Sequence, residues 1–172
     1  PFLEKKYILS ISRAQSDNNI HVLLQAFENL PQYNLVIISN WHNSDYGRDL
    51  YKRYKNKLNN IILKEGIYNK ELDIIRNNAC LYIHSHSFCG TAPSLVEAMN
   101  LELPIICYNA PTNLETTENK SYYFKNKNEL IKLITTLTNQ ELKKLKKEMY
   151  SIAKRRYKWE IITQKYKECI EN

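Results

Sequence analysis

Glycine is scarce in this sequence, which has only Gly47, Gly66 and Gly90 among its 172 residues. A GxGxxG dinucleotide-binding loop and a Walker A loop both need glycines at close spacing, because their backbones approach the phosphates directly. Three isolated glycines cannot form either loop, so the sequence excludes NAD-dependent enzymes with that loop and P-loop ATPases. Any phosphate would have to be bound by amides at a helix end and by side chains.

Long apolar runs and paired cysteines are also missing. No stretch approaches the roughly 20 apolar residues that a membrane-spanning helix needs, and the first residues lack the pattern of a signal peptide. The four cysteines, Cys80, Cys89, Cys107 and Cys169, form no CxxC pair. This is typical of reduced intracellular thiols. We therefore expect a soluble, cytoplasmic protein.

The residues that are present indicate a globular domain with a basic surface. A hydrophobic content of 43% in 172 residues is enough for one domain with a substantial core. The net charge of +7 is concentrated after Lys120 and fits nucleic acid, anionic lipid or a phosphorylated substrate equally well. An apolar run follows Pro1 within a few residues, so we expect residues 1–172 to be one domain that another domain precedes in the parent protein.

Short apolar runs alternate with amphipathic segments along the chain. The pattern predicts strands at 7–11, 35–38, 61–63, 81–83, 104–108 and 122–124. It predicts helices at 19–30, 49–58, 70–77, 93–99, 127–137, 140–155 and 159–170. This alternation is typical of an α/β, Rossmann-like three-layer domain, with a parallel sheet of about six strands, helices on both faces and additional C-terminal helices. Ligands of such sheets bind at the carboxyl ends of the strands.

The segment 79–99 carries the strongest local signal. Its apolar run ends at His84, a polar turn follows, and Pro93 is favoured in a first helical turn. Thr91 is predicted to cap that helix. A helix N-terminus has free amides and a positive dipole end, so we predict an anion site, most simply for phosphate, around Gly90, Thr91 and Ser94. The alternative is an ordinary turn between strand and helix that binds nothing.

Two stretches of this region resemble a known family. Residues 94–99, SLVEAM, and residues 103–106, LPII, resemble the motif of retaining glycosyltransferases of family 4, which have the two-domain GT-B fold. The family motif has two glutamates with seven residues between them; Glu97 matches the second, and Cys89 replaces the first. The form HSxxGTxPSLVEAM resembles a bacterial branch linked to polysaccharide assembly, including rhamnosyl transfer, in which the first glutamate is also missing.

The resemblance implies the C-terminal, donor-binding domain of such a transferase. The donor would be a UDP- or dTDP-sugar, transferred with retention to a glycan or lipid-linked acceptor, with no cofactor and no metal. The N-terminal acceptor domain would be missing, so this fragment should bind donor weakly and catalyse nothing. A lipid-linked acceptor would also suit peripheral contact of the basic helix at 140–155 with the inner membrane face.

The resemblance also assigns roles to single residues. Arg13 matches an arginine that neutralises the donor diphosphate, whereas Asn18 stands where the family has a lysine. Glu97 would accept hydrogen bonds from the ribose hydroxyls. Gly66 and Ile67 would contact the base through their backbone. The alternatives are a surface arginine and an exposed helical glutamate.

The turn after the predicted strand at 81–83 contains further polar candidates. His86 or Ser87 would hydrogen-bond to the donor sugar in place of the missing glutamate, and the small Cys89 would make room for that sugar. His84, His86 and Cys89 also resemble metal ligands, but no fourth ligand is evident, so we expect no metal. The loop predicted at 112–117 and residues 39–41 either contact the ligand or serve as ordinary structure.

Two other functions fit the sequence. One is a non-enzymatic basic α/β module that binds nucleic acid or a protein partner. The other is a sugar-nucleotide epimerase of the same fold, whose catalytic group would have to come from the missing half.

Overall fold

The computed structural model describes residues 5–67 and 70–171. The strands are β1 Tyr7–Ile11, β2 Asn34–Ile38, β3 Ile61–Lys64, β4 Leu81–His84, β5 Ile105–Tyr108 and β6 Tyr122–Phe124. The helices are α1 Ile20–Phe27, α2 Asp45–Tyr54, α3 Lys70–Asn77, α4 Pro93–Asn100, α5 Pro111–Thr116, α6 Lys127–Thr136, α7 Asn139–Arg156 and α8 Trp159–Glu171. Short 3-10 helices lie at Ser16–Asn18 and Trp41–Asn43.

In the described part of the chain the strands form one parallel sheet in the order β3-β2-β1-β4-β5-β6. The chain builds outward from β1 to β3 and then returns to place β4 on the other side of β1. The chain leaves β1 towards α1 on one face of the sheet and leaves β4 towards α4 on the other, so the switch point of the sheet lies between these two strands. This architecture confirms the predicted fold class.

Both faces of the sheet are covered because successive strand residues face opposite sides. Ile8 belongs to the core that includes Phe27, on the side of α1, α2 and α6. Leu9 belongs to the core that includes Met99 and Met149, on the side of α3, α4 and α7. The strands are accordingly apolar in almost every position, as expected for a parallel sheet buried on both faces.

Some predicted boundaries were wrong. Helix α2 was predicted at 49–58 but begins at Asp45, because the Ser44 hydroxyl accepts a hydrogen bond from the Gly47 amide at 2.9 Å and caps it. The segment 112–117 was predicted as a loop but lies largely in α5, which has proline in its first turn. Gly66 and Ile67, to which the resemblance assigns contacts with the base, are described, whereas residues 68 and 69 lie outside the described residues.

The C-terminal helices differ in how they pack. Helix α7 buries Leu145, Met149 and Ile152, as its pattern predicts, and exposes most of its basic residues. Helix α8, all of which is described, buries no residue and exposes Trp159. In the described residues, no helix combines the length and apolar character needed to cross a bilayer. All four cysteines lie within the described ranges and are free thiols.

We expect Gly47→Ala to destabilise the fold. A Cβ atom at this position would lie 2.3 Å from the Trp41 carbonyl oxygen and 2.7 Å from the Ala14 Cβ atom. Relieving such overpacking costs about 1–3 kcal/mol of the free energy of unfolding, which urea denaturation measures. Gly90→Ala is the matched control, because a Cβ atom there meets no described heavy atom within 4 Å. Equal stability of both variants would contradict the packing described at Gly47.

Candidate functional site

A cavity of about 400 Å³ lies in the crevice at the carboxyl ends of β1 and β2. Of the residues singled out from sequence, Arg13, Ile67, His86, Ser94 and Glu97 line its wall. These residues come from four separate stretches of the chain. The topology brings them together because each follows a strand that ends at the same edge of the sheet.

The cavity wall contains several polar atoms that have no hydrogen-bond partner among the described residues. Among the described residues, four buried side-chain atoms have no hydrogen-bond partner, and three of them belong to wall residues: Ser12 Oγ, Ser39 Oγ and His86 Nε2. The fourth is Nδ1 of His84, which neighbours His86. Buried polar groups in folded proteins almost always have partners. The wall is therefore suited to a ligand with several hydrogen-bonding groups.

Arg13 is exposed, and the loop that carries it is held by hydrogen bonds. The side-chain amide of the buried Asn18 donates to the backbone carbonyl of Arg13 at 2.8 Å. The backbone amide of Ala14 donates to Asn40 Oδ1 at 2.9 Å. Asn18 thus supports the loop backbone and brings no charge to the position where the resemblance places a lysine. Arg13 is presented to the cavity by a loop whose conformation is fixed from both sides.

Glu97 forms an ion pair that the sequence did not predict. Its Oε2 atom accepts a hydrogen bond from the guanidinium of Arg76, which also lines the cavity. The sequence feature that could have indicated the position of Arg76 is its spacing from Leu72. The two residues are four apart and therefore share one face of α3. Leu72 is buried on that face, so the arginine had to lie near the sheet and not in open solvent.

Helix α4 begins at Pro93, as predicted, but its cap differs from the prediction. Ala92 is its N-cap residue, and no side chain in the described part of the chain caps it, so the assignment of Thr91 as the cap was wrong. Pro93 is the first helical residue, so the cap position is Ala92, one residue beyond Thr91. Thr91 instead lines a second cavity of about 640 Å³, which also has Pro93, Glu97 and Trp159 in its wall.

Ser94 and Ser87 make contacts within the protein. The Ser94 side chain hydrogen-bonds to the phenol of Tyr82, whose pKa is raised to about 12 chiefly by burial. The Ser87 hydroxyl and amide both donate to the Asp17 carbonyl at 2.8 Å. Ser87 lies outside the wall of the 400 Å³ cavity and links the loop after β4 to the loop after β1.

His84, His86 and Cys89 form a compact cluster of uncharged groups. The two imidazole rings are 4.1 Å apart between centroids, and one ligand atom from each of the three residues lies within 4.8 Å of the others. Burial lowers the pKa of His84 well below its usual range and lowers the pKa of His86 to about 4. Burial also raises the pKa of the Cys89 thiol. At neutral pH the cluster therefore offers neutral imidazoles and a protonated thiol.

Helix α5 supports this cluster from the side. The Asn113 amide donates to the backbone carbonyls of His86 at 2.8 Å and Tyr108 at 2.9 Å. Thr112 Oγ1 lies 3.9 Å from the Cys89 sulfur. The segment predicted as a loop at 112–117 thus contacts the candidate site through ordered helical residues.

A comparison with protein-family models identifies the family. Residues 1–156 match the model described as "Glycosyl transferases group 1". The chain belongs to this family. The match spans every element from β1 to the end of α7. A search of curated protein sequences found no match.

Solved structures of glycosyltransferases share the fold. Anabaena Alr3699/HepE in complex with UDP-glucose aligns with a TM-score of 0.83 and 18% identity, over 98% of this chain and 50% of that chain. Sucrose-phosphate synthase from Thermosynechococcus elongatus aligns with a TM-score of 0.80 and 16% identity, over 98% and 45% of the two chains. The C-terminal domain of LpcC, a glycosyl transferase group 1 family protein from Francisella tularensis, aligns with a TM-score of 0.71 and 19% identity, over 89% and 87%.

At these identities the structural likeness establishes the fold alone. The group 1 glycosyltransferase chain described here spans about half the length of HepE and of the synthase. The cavity lies at the strand edge where α/β sheets of this kind bind their ligands.

The remaining predicted residues lie close to the cavity or inside the fold. Cys89 and Gly90 belong to the turn between β4 and α4, outside the wall of the 400 Å³ cavity. Ser39 and Asn40 line it. Trp41 is fully buried and donates its indole N–H to the Lys64 carbonyl at 2.7 Å, so it serves the packing of the fold.

The buried imidazoles make stability depend on pH. Because the pKa of His86 is lowered in the fold, to about 4, its contribution is complete above its unfolded pKa and is lost as the pH falls towards 4. We expect the free energy of unfolding to be lower at pH 5 than at pH 7 by about 1–2 kcal/mol from His86, with His84 acting in the same direction.

Urea denaturation at both pH values measures this difference. His86→Gln should reduce it. A pH dependence identical in the wild type and His86→Gln would contradict the assignment.

Proposed function

We propose that this group 1 glycosyltransferase domain binds a nucleotide diphosphate sugar, a UDP- or dTDP-sugar, in the 400 Å³ cavity. The full protein would be a retaining GT-B enzyme of family 4 that acts in bacterial surface polysaccharide synthesis. One observation carries the proposal: Arg13, Ser94, Glu97 and three unsatisfied polar atoms share a single cavity wall. Such a donor has a diphosphate, a pentose and a sugar. The cation and the helix N-terminus suit the diphosphate, the carboxylate suits the pentose, and the neutral hydrogen-bonding groups suit the sugar.

The diphosphate would be bound by Arg13 and the first turn of α4. A guanidinium forms two parallel hydrogen bonds to phosphate oxygens, and the amides at a helix N-terminus attract anions. As the sugar leaves, negative charge grows on the diphosphate, and groups already oriented towards it stabilise the transition state. Because Asn18 is neutral, Arg13 would carry more of this charge than its counterpart in the family.

The nucleoside would lie between Glu97 and the loop after β3. A carboxylate accepts two hydrogen bonds from the neighbouring hydroxyls of the ribose in UDP, or one from the single free hydroxyl of the deoxyribose in dTDP. Ile67 lines the same cavity next to Gly66, where backbone groups are available to the edge of the base. The unsatisfied hydroxyls of Ser12 and Ser39 provide further hydrogen bonds to the donor.

The sugar would face His86 and the turn that contains Ser87, Cys89 and Gly90. His86 is neutral, so it hydrogen-bonds to sugar hydroxyls in either direction. Cys89 is small and uncharged where the family motif has a glutamate, which leaves space for the sugar. We propose no role for a metal, because Arg13 and the amides of α4 already meet the charge of the diphosphate.

The structural neighbours support a nucleotide-sugar ligand. HepE is described in complex with UDP-glucose, and the pneumococcal O-GlcNAc transferase GtfA in complex with UDP and GlcNAc. The acceptor, a glycan or a lipid-linked glycan, would bind to a domain that precedes residue 1. The chain described here would then bind donor without turnover.

The alternative of a basic module for nucleic acid is less well supported. Four basic residues of α7 and its surroundings are paired with carboxylates: Lys120 with Glu148, Lys146 with Glu102, Arg155 with Glu118 and Arg156 with Glu115. These pairs reduce the positive charge that the surface presents to an anionic polymer or membrane.

The role of Arg13 can be tested with Arg13→Gln. We expect UDP affinity to fall about tenfold or more, because a hydrogen bond to a charged group is worth roughly 1.5–3 kcal/mol. Uridine, which has no phosphate, should bind the variant and the wild type equally in isothermal titration calorimetry. The matched control is Arg48→Gln, at an exposed arginine paired with Asp45. Unchanged UDP affinity, or equal losses for UDP and uridine, would remove Arg13 from the diphosphate site.

The turn at Gly90 can be tested with Gly90→Ala. The fold has open space for the added methyl group, so the melting temperature should stay within a degree or so of the wild type. We expect UDP-sugar affinity to fall while UDP affinity is retained, because the methyl group would occupy space next to the sugar. Unchanged affinity for the sugar nucleotide would place Gly90 away from the sugar.

The donor used in this experiment is identified first, by a thermal-shift panel with UDP, dTDP, GDP and ADP and their sugars.

A further inference from the structure

The two residues of the ion pair between Arg76 and Glu97 differ in their exposure to solvent. The Arg76 side chain is 14% exposed, whereas the Glu97 side chain is 47% exposed. An arginine that is largely withdrawn from water needs acceptors for its hydrogen bonds. Its described carboxylate partners are Glu97, by a direct hydrogen bond, and Asp73, whose Oδ1 lies 3.9 Å away and is mostly exposed. Glu97 is therefore its main anionic partner.

This arrangement constrains the carboxylate more than the guanidinium. Arg76 is held against the sheet by α3, on the same helical face as the buried Leu72. Glu97 is in the middle of α4, about one turn beyond Ser94, and would otherwise sample several rotamers in solvent. The hydrogen bond from Arg76 selects one of them.

The contact leaves acceptor capacity on Glu97. A carboxylate has two oxygens with about four lone-pair sites, and the guanidinium bond from Arg76 goes to Oε2. The Oε1 atom and the second lone pair of Oε2 are left for neighbouring hydroxyls. Because both residues line the 400 Å³ cavity, the remaining sites are available to a ligand there.

We propose that Arg76 is a positioning residue that orients the Glu97 carboxylate towards the pentose hydroxyls of a nucleoside diphosphate. The proposal rests on the proposed function, which assigns those hydroxyls to Glu97. Arg76 acts through the carboxylate and contacts neither the diphosphate nor the base. Its contribution to affinity therefore depends on the presence of both Glu97 and the hydroxyls.

The experiment compares UDP with 2′,3′-dideoxy-UDP, which keeps the base and the diphosphate but lacks both pentose hydroxyls that Glu97 would accept. Affinities are measured by isothermal titration calorimetry for the wild type, Arg76→Ala, Glu97→Gln and the double variant. We expect Arg76→Ala to weaken UDP about tenfold and dideoxy-UDP less than twofold. The double variant should bind UDP no more weakly than Glu97→Gln alone, since coupled residues are not additive.

Two further variants separate positioning from folding. Arg76→Lys keeps a cation near Glu97 and should restore part of the UDP affinity. Arg156→Ala removes another partly buried arginine of an ion pair, with Glu115, and should leave both nucleotide affinities unchanged. Thermal melts show whether each variant is folded. If Arg76→Ala does not fold, the comparison of Arg76→Lys with the wild type on the two nucleotides decides.

Several outcomes would overturn the inference. Equal losses for UDP and dideoxy-UDP would mean that Arg76 contacts the diphosphate or only supports the fold. Additive losses in the double variant would mean that it acts independently of Glu97. If the wild type binds UDP and dideoxy-UDP equally, Glu97 does not contact the pentose and the inference fails while nucleotide binding stands. If the wild type binds none of the nucleotides, the proposed function itself fails.

Discussion

The hydrogen bonds that join the loops after β1 and β4 are the constraint on which the candidate site depends. The Ser85 hydroxyl donates to the Asn18 carbonyl at 2.5 Å, and Ser87 donates twice to the Asp17 carbonyl. β1 and β4 are neighbours in the sheet although more than seventy residues separate them. Together with the pairing of β1 and β4, these bonds set the separation of the loops that bring Arg13 and His86 to one cavity wall.

The electrostatic character of the site is related to the scarcity of glycine in the chain. A glycine-poor sequence cannot form a backbone loop that wraps around a phosphate, so beside the amides at the start of α4 the charged groups of the site come from side chains. Arg13 is exposed at the cavity and Arg76 is paired with Glu97, while the histidines are neutral because burial lowers their pKa. In the proposed function, the region around Arg13 would bind an anion, and the region around Glu97 and His86 would bind neutral hydroxyls.

The sequence predicted the sheet well because apolar strands buried on both faces leave a local signal. It also placed Arg13, Ile67, His86, Ser94 and Glu97 at one edge, since a residue that follows a parallel strand has little choice of location. The sequence did not predict the role of Arg76. Its partner Glu97 is twenty-one residues away on another helix, and local periodicity contains no information on which side chains of two packed helices meet.

The exposure of α8 on the surface determines how easily this helix unfolds locally. The family match ends at residue 156, where α7 ends, and no side chain of α8 is buried in the described structure. Opening this last helix exposes little new apolar area, so it should cost far less free energy than opening any helix that covers the sheet. The amide hydrogens of α8 would then exchange with solvent through local fraying, while those of β1 and β4 would exchange only when the entire domain unfolds.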